Sequence, residues 1–299
     1  MRKPDFFIVG GMRCGTTALD HYLGQHPEIF MASPKDPHQF DSDLRWPART
    51  ITWSDYTARF SGATNEQCVG DPNSTYLYST QAAQQIRDFH PGAKIVIMLR
   101  NPVELLYSWH GWMRFHDVEP IEDFGLALDA EERRKQGVDL PETGFPASVF
   151  FYRDLARLSV QVERYLQCFG AEQVHIVLYD DFRHCLPAAY RGTLEFLDVN
   201  PEFMPEFEVV NQNRVPRSQV VNRVLNSPPE ALRRLVKAVL PNPNLRDGVI
   251  RRLRQLNKHY RPRAEVAEDV RERLAAELAP EIRRLGELIG RDLSRWNRG

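Results

Sequence analysis

The glycine-rich stretch FFIVGGMRCGTTAL, residues 6–19, contains the residue types of an anion-binding loop. Phosphate-binding P-loops follow the pattern G-x-x-x-x-G-K-[ST] on a turn between a strand and a helix. Gly10 and Gly15 have this separation, but Thr16 stands where the lysine should be. Such a turn still presents several backbone N–H groups and the positive end of a helix dipole to an anion.

The loop lacks the lysine that normally neutralises the β- and γ-phosphates of a bound nucleotide. A cation is supplied instead by Arg13, and hydroxyl donors are supplied by Thr16 and Thr17. P-loops also use a Ser or Thr hydroxyl to ligate Mg²⁺. Without the lysine, the hydroxyls of this loop are weaker evidence for a metal-bound nucleotide. The sequence therefore favours a single 5′-phosphate with an attached group over a metal-bound triphosphate.

A second candidate group follows the apolar, β-branched run AKIVIMLR at 93–100. Such a continuous run is typical of a strand in a parallel sheet that is covered on both faces. Arg100 ends the run, where α/β folds place their ligands, and Asn101-Pro102 begins a predicted helix. Ser108 lies about two turns into that helix, so it shares an anion with Arg100 only if the helix folds back over the arginine.

The elements that must position these residues follow from the hydrophobic pattern. Apolar runs at 5–10 and 173–182 predict two more strands, followed by predicted helices at 17–25 and 187–197. Strands that alternate with helices predict βαβ units and a mostly parallel sheet. From about residue 220 onward, apolar residues recur every three or four positions, which predicts a helical region.

The chain has 299 residues, of which 42% are hydrophobic and 26% charged, a composition typical of globular proteins. We expect one α/β domain over 1–299, with a ligand-binding core over about 1–200 and a basic loop and C-terminal helices over about 201–299. No apolar run approaches the roughly 20 residues of a membrane span. The first residues do not match a signal peptide.

The cysteine and charge patterns indicate the compartment of the protein and the kinds of ligand that it binds. Four scattered cysteines lack both a C-x-x-C pair and metal-ligand spacing, so we expect reduced thiols, a cytoplasmic protein and no metal site. The net charge of −1 hides about +10 over residues 214–299, which contain 20 Lys+Arg and 10 Asp+Glu. We expect a few of these arginines to face an anionic ligand. No Lys/Arg-dense tract interleaves with aromatics, so nucleic-acid binding is not expected.

Four segments, taken in order, resemble a known enzyme family. RCGTT at 13–17 has the form [KR]-x-G-T-[TR], and LRNPVELLYS at 99–108 fits a strand followed by R-[DN]-P-x-[ED]-x-x-x-S. PKDPHQFD at 34–41 is similar to K-E-x-H-F-F-D, and RRLGELIGRDLSRW at 283–296 resembles a C-terminal helix and tail of bacterial members. The chain thus resembles sulfotransferases that use 3′-phosphoadenosine 5′-phosphosulfate (PAPS), especially the carbohydrate (heparan sulfate type) branch.

The resemblance implies a fold and a cofactor site. The fold would be a P-loop-like, three-layer α/β sandwich around a mostly parallel sheet. The 5′-phosphosulfate of PAPS would be held by the turn Arg13, Cys14, Gly15, Thr16 and Thr17. The 3′-phosphate would be held by Arg100 and Ser108. The product would be PAP, and no metal ion would be required.

The resemblance also assigns chemical roles. Sulfuryl transfer is an in-line displacement that depends mainly on positioning and charge stabilisation. Arg13, with Lys35 as a second cation, would stabilise the oxygen that bridges the sulfate to the leaving 5′-phosphate. The base that accepts the proton of the acceptor hydroxyl would be Asp36, at the acidic position of the K-E-x-H element.

The identity of the base stays open at this level, because aspartate replaces the family's glutamate. Asp36 reaches about 1.5 Å less far than glutamate would, a large deficit on the scale of a hydrogen bond. His38 offers an imidazole, which titrates near neutral pH, and it is the alternative base. If residues 36–38 are extended, both side chains point to one face. Asp41 would then orient one of them.

Other parts of the cofactor and acceptor sites follow by analogy. Tyr179, at the end of the predicted third strand, would contact adenine. Arg214 and Arg217, in NQNRVPRS at 211–218, fall where the family places a basic loop over the cofactor, although its lysine-glycine-arginine form is absent. GDPNSTYLYS at 70–79 resembles the G-E-x-S-P-x-Y-L stretch of bacterial relatives.

The acceptor is expected to be a hydroxyl of a carbohydrate or small natural product. Trp109, Trp112 and Phe115 share a helix face and form either core or an acceptor wall. Two rival functions remain: a small-molecule kinase that uses ATP and Mg²⁺, and an inactive relative that only binds nucleotide. The missing loop lysine disfavours the kinase.

Overall fold

The computed structural model describes most of the chain. The described residues are 2–46, 51–63, 68–208, 210, 214–226, 228, 234, 236, 238–239, 243–260 and 265–297, although some side chains within 214–260 lie outside that description.

A five-stranded parallel sheet forms the centre of the fold. Its strands are β1 (Phe6–Gly10), β2 (Ile29–Met31), β3 (Cys68–Pro72), β4 (Lys94–Leu99) and β5 (Val174–Leu178). They lie in the order β2-β3-β1-β4-β5, and every neighbouring pair is parallel. All residues of β1 and β3 are buried, so helices and loops cover both faces. The predicted α/β fold with a parallel sheet is confirmed.

The strand order places a ligand crevice between β1 and β4. On one side of β1 lie β3 and then the edge strand β2, and on the other side lie β4 and then the edge strand β5. In such sheets the crevice at the carboxyl ends of the strands, where the order reverses, binds ligands. The glycine-rich loop follows β1 and Arg100 follows β4, so both candidate groups lie at this crevice.

Ten helices in the first two thirds of the described chain connect or cover these strands. They are α1 (Thr16–Leu23), α2 (Trp53–Ala58), α3 (Ala82–Phe89), α4 (Pro102–Phe115), α5 (Phe124–Asp129), α6 (Glu131–Lys135), α7 (Tyr152–Leu155), α8 (Leu158–Phe169), α9 (Tyr179–His184) and α10 (Leu186–Leu197). The start of α4 follows the sequence closely. Asn101 caps it by accepting from the N–H of Val103, and Pro102 occupies the first turn.

The C-terminal region is largely helical, as predicted. It contains α11 (Gln219–Asn226), α12 (Pro243–Leu256) and α13 (Glu268–Ile289). Helix α13 buries Leu274, Leu278, Ile282 and Leu285 and packs on α4 and α8. After it, Trp296 donates from Nε1 to Asp180 at 2.6 Å and accepts from Asn101 at its carbonyl oxygen. The chain end is thereby fixed beside β4 and β5.

Three details differ from the sequence-based prediction. Strand β5 ends at Leu178, and Tyr179 begins helix α9, whose first turn is favoured by Asp180 and Asp181. The short strands β2 and β3 were not predicted. Two further strands form an antiparallel pair that was not predicted: β6 (Arg214–Pro216) lies in the predicted basic loop, and β7 (Lys258–Tyr260) lies in the region predicted to be helical.

Candidate functional site

The turn after β1 has the backbone of an anion-binding loop. Gly15 precedes α1 with φ 95°, and α1 has no side-chain cap at its N-terminus. A Cβ on Gly15 would lie 3.1 Å from the Tyr179 ring, so glycine is required both by its backbone and by this approach. The first N–H groups of α1 therefore face the crevice with no side-chain acceptor of their own.

Arg13 and Ser108 are brought together although 95 residues separate them. Arg13 Nε donates to Ser108 Oγ at 3.2 Å, and Ser108 is buried in α4. Arg100 Nη1 approaches the Arg13 carbonyl oxygen at 3.4 Å. Helix α4 thus folds back over the loop, as the sharing of one anion by Arg100 and Ser108 requires.

Arg100 has two other partners that hold its guanidinium in place. It donates to Glu104 Oε2 from Nη2 at 2.7 Å and from Nε at 3.0 Å, one turn along α4. Its guanidinium carbon lies 4.5 Å from the centre of the Tyr179 ring. Arg100, Tyr179 and Gly15 therefore form one continuous surface at the crevice.

Lys35 joins the loop from the other side. Its Nζ donates to Thr16 Oγ1 at 2.7 Å and approaches Thr17 Oγ1 at 3.3 Å. Burial lowers the pKa of Lys35, while the nearby Asp36 and Asp20 raise it. Burial also raises the pKa of Asp20 to about 6, against the opposing effect of Lys35. The lysine missing from the P-loop pattern is thus replaced in space by one that follows β2.

Asp36 is engaged by the turn after β3. Its Oδ1 accepts from the Ser74 N–H at 2.8 Å and from Ser74 Oγ at 3.0 Å. Asp36 and His38 have φ of 57° and 56°, so both lie in the left-handed region. The assumption that residues 36–38 are extended is wrong, and the two side chains bind different partners.

His38 belongs to a buried polar cluster with Asp41 and Thr75. His38 Nδ1 lies 2.8 Å from Asp41 Oδ2, and the two side chains are 7% and 1% exposed. Thr75 Oγ1 donates to the same carboxylate oxygen and lies 3.3 Å from His38 Nδ1. A carboxylate on Nδ1 keeps the proton there and leaves Nε2 as the basic nitrogen. The predicted orienting role of Asp41 matches this contact with His38.

The remaining predicted cofactor residues are Cys14, Arg214 and Arg217. The Cys14 side chain is buried, and burial raises its pKa to about 12, so only its backbone is available to a ligand. Arg217 is exposed, and its backbone N–H donates to the Asn257 carbonyl at 2.7 Å. The Arg214 backbone lies in β6, but its side chain is outside the described part of the chain.

The tryptophans of α4 divide between core and surface. Trp109 is buried and donates from Nε1 to the Val149 carbonyl at 2.8 Å. Trp112 stacks on it at 4.9 Å, is half-buried, and lies 4.3 Å from the exposed His116 ring. Trp109 is therefore core, and Trp112 is the one of this pair that reaches the surface.

Sequence reasoning missed Ser74, Thr75 and Asp20. The first two lie in the polar run NST at 73–75, directly after β3, whose sequence CVGDP does not form a continuous apolar run. Once β3 is known, the rule that identified Arg100 at the end of β4 identifies them as well. Asp20 carries no local signal, since only the fold brings it near Lys35.

Comparison with known proteins identifies the family of the chain. Residues 3–222 match the sulfotransferase domain family. A crystal structure of a sulfotransferase from Alicyclobacillus acidocaldarius superposes with a TM-score of 0.73 and 29% identity, covering 100% of both chains. The bifunctional heparan sulfate N-deacetylase/N-sulfotransferase 1 of Caenorhabditis briggsae is 26% identical over 67% of this chain and 23% of its own length.

A third relative is the membrane-associated sulfotransferase kil1 of Dictyostelium discoideum, which is 29% identical over 40% of this chain and 26% of its own length. The chain thus spans about a quarter of the length of these curated relatives. Among the described residues, no cluster of three or more His, Cys, Asp or Glu side chains has the arrangement of a metal site. No described helix combines the length and apolar character needed to cross a bilayer.

Proposed function

Because this chain belongs to the sulfotransferase family, we propose that it transfers a sulfuryl group from PAPS to a hydroxyl of a carbohydrate or small natural product. The observation that carries the proposal is the convergence of three cations on one turn. Arg13 belongs to the loop after β1, while Lys35 and Arg100 come from two other segments and contact the loop and the start of α1. Such a donor set suits a ligand with separate anionic groups.

The residues present fit the two anionic ends of PAPS. We assign the N-terminus of α1, Thr16, Thr17 and Lys35 to the 5′-phosphosulfate, and Arg100 and Ser108 to the 3′-phosphate. We assign Arg13 to both groups, since it belongs to the loop and also contacts Ser108. Bound there, PAPS supplies the sulfuryl group. The cations stabilise negative charge on the bridging oxygen.

For the base we favour His38 over Asp36. The contact between His38 Nδ1 and Asp41 fixes the orientation of the ring and leaves Nε2 as the nitrogen that can accept a proton. Asp36 has one oxygen occupied by two hydrogen bonds from Ser74, so that oxygen is engaged by the turn after β3. Asp36 remains the alternative that the family analogy assigns.

The proposal also assigns residues to the adenine and to a basic loop over the cofactor. We assign the Tyr179 ring, which lies against Gly15 and Arg100, to contact with the adenine. We assign Arg214 and Arg217 to a basic loop over the cofactor, by analogy with the family. Strand β6, which begins at Arg214, lies beside α4. We also propose that residues 1–299 form one domain, because α13 packs on α4 and α8.

A ligand-binding experiment separates this proposal from its rivals. We expect PAP without metal to raise the thermal unfolding midpoint, since ligand at about 100 times its Kd adds roughly 2.7 kcal/mol. The Arg13→Gln variant should lose most of that shift. The matched Arg284→Gln variant, on the exposed face of α13, should keep it.

Transfer is then measured with ³⁵S-labelled PAPS and pools of sugars, glycolipids and phenols. A labelled product supports the proposed reaction and identifies the acceptor. A response to Mg-ATP with none to PAP would indicate a kinase instead. A PAP shift with no transfer to any pool would indicate a relative that binds nucleotide without catalysis.

A further inference from the structure

Helix α12 carries a stripe of exposed apolar side chains. Leu245, Val249, Leu253 and Leu256 have exposed fractions of 62%, 44%, 45% and 66%. Their spacing of four, four and three residues puts them within an arc of about 80° at 100° per residue. An apolar stripe of this kind normally packs against a core, so its exposure indicates a surface that something else covers.

Arginines border the stripe on both sides. On the same helical projection, Arg246 lies about 20° beyond one edge of the stripe and Arg252 about 20° beyond the other. The sequence of this helix contains two more arginines, Arg251 and Arg254, and one acidic residue, Asp247. The stripe thus lies in the part of the chain whose net charge is about +10.

The combination of an apolar stripe and a basic border selects among possible partners. A second copy of the chain would bring like-charged borders together across a two-fold axis, which is unfavourable. An anionic bilayer offers both complements at once, with acyl chains for the stripe and lipid phosphates for the arginines. We propose that α12 docks this protein on the surface of an anionic membrane, with the helix axis in the membrane plane.

The docking helix is connected to the candidate site. Helix α12 packs against α11, and Asn222 of α11 donates from Nδ2 to the Phe115 carbonyl oxygen at 2.6 Å. Phe115 ends α4, the helix that begins beside Arg100 and contains Ser108. Docking would therefore anchor the enzyme through α11, which contacts the C-terminal end of α4. The proposal holds whatever the reaction, because it depends only on the surface of α12.

Sedimentation with lipid vesicles tests the proposal directly. The full chain is mixed with vesicles of phosphatidylcholine containing phosphatidylglycerol, and with vesicles of phosphatidylcholine alone. We expect binding to the anionic vesicles that weakens with added salt, and at least tenfold weaker binding to the neutral ones. Arg246→Gln/Arg252→Gln should weaken binding about 30-fold, the effect of two basic residues near an anionic surface.

The apolar contribution has a matched control. Val249→Ser/Leu253→Ser should weaken vesicle binding about tenfold or more. Leu126→Ser removes an equally exposed leucine, 62% accessible, from α5 and should leave binding unchanged. Circular dichroism and the unfolding midpoint check that each variant folds.

Three results would overturn the proposal. One is equal binding to both vesicle types, and another is equal loss in the Leu126→Ser control. The third is no binding to either vesicle together with a dimer, seen by light scattering, that the Val249→Ser/Leu253→Ser variant dissociates. That result would identify the stripe as an interface between copies.

Discussion

The assignment of the base can be tested by two conservative substitutions, His38→Gln and Asp36→Asn. The two residues are close in sequence but have separate partners, Asp41 for His38 and Ser74 for Asp36. Asparagine keeps an oxygen that accepts from the Ser74 N–H, so the turn after β3 is preserved. Alanine at position 36 would leave that N–H without its acceptor and cost about 1 kcal/mol of stability.

The expected magnitudes follow from these contacts. Loss of a positioned general base lowers turnover by about 10²- to 10⁴-fold, so His38→Gln should lie in that range. If His38 is the base, Asp36→Asn removes a charge near Lys35 but leaves the catalytic proton acceptor in place, and it should lower turnover less than tenfold. Asp41→Asn should approach the His38 variant, because the imidazole loses the partner that fixes its proton on Nδ1.

The assay is steady-state transfer of ³⁵S-labelled sulfate, measured as kcat and kcat/KM for each variant. PAP binding by thermal shift should be unchanged in both, which separates chemistry from cofactor affinity. The reasoning fails if Asp36→Asn loses 10²-fold or more while His38→Gln retains near wild-type turnover.

Three further predictions concern the surroundings of the site. Thr75→Val should lower kcat about tenfold with little change in KM, and Thr75→Ser should restore it, because the hydroxyl donates to the carboxylate that holds His38. Burial lowers the pKa of Lys35, so the amine should lose its charge, and kcat should fall, as the pH rises through this lowered pKa. Lys35→Arg should move this alkaline decrease in kcat to higher pH. Retention of the unshifted decrease in Lys35→Arg would assign it to another group. Gly15→Ala should destabilise the protein by about 1–2 kcal/mol in thermal denaturation, since φ is 95° and the new Cβ meets an aromatic ring; an unchanged midpoint would contradict that geometry.

The sequence alone predicted a mostly parallel sheet, three of its five strands and a candidate anion site at their carboxyl ends. Continuous apolar runs predicted β1 and β4, and glycine spacing with Arg100 predicted an anion site at their carboxyl ends. The reason is that these signals are local. A buried parallel strand needs a run of apolar residues, and a tight strand-to-helix turn needs glycine at a fixed position.

Only the tertiary structure decided which cations meet and which base is oriented. Lys35 reaches Thr16 across 19 residues, and Arg13 reaches Ser108 across 95. The left-handed backbone of Asp36 and His38 sends their side chains to different partners, which no period-two pattern could predict. The pairing of β6 with β7 is equally non-local. These contacts depend on the free energy of the whole packed chain, in which neighbours distant in sequence fix the backbone that local propensity leaves open.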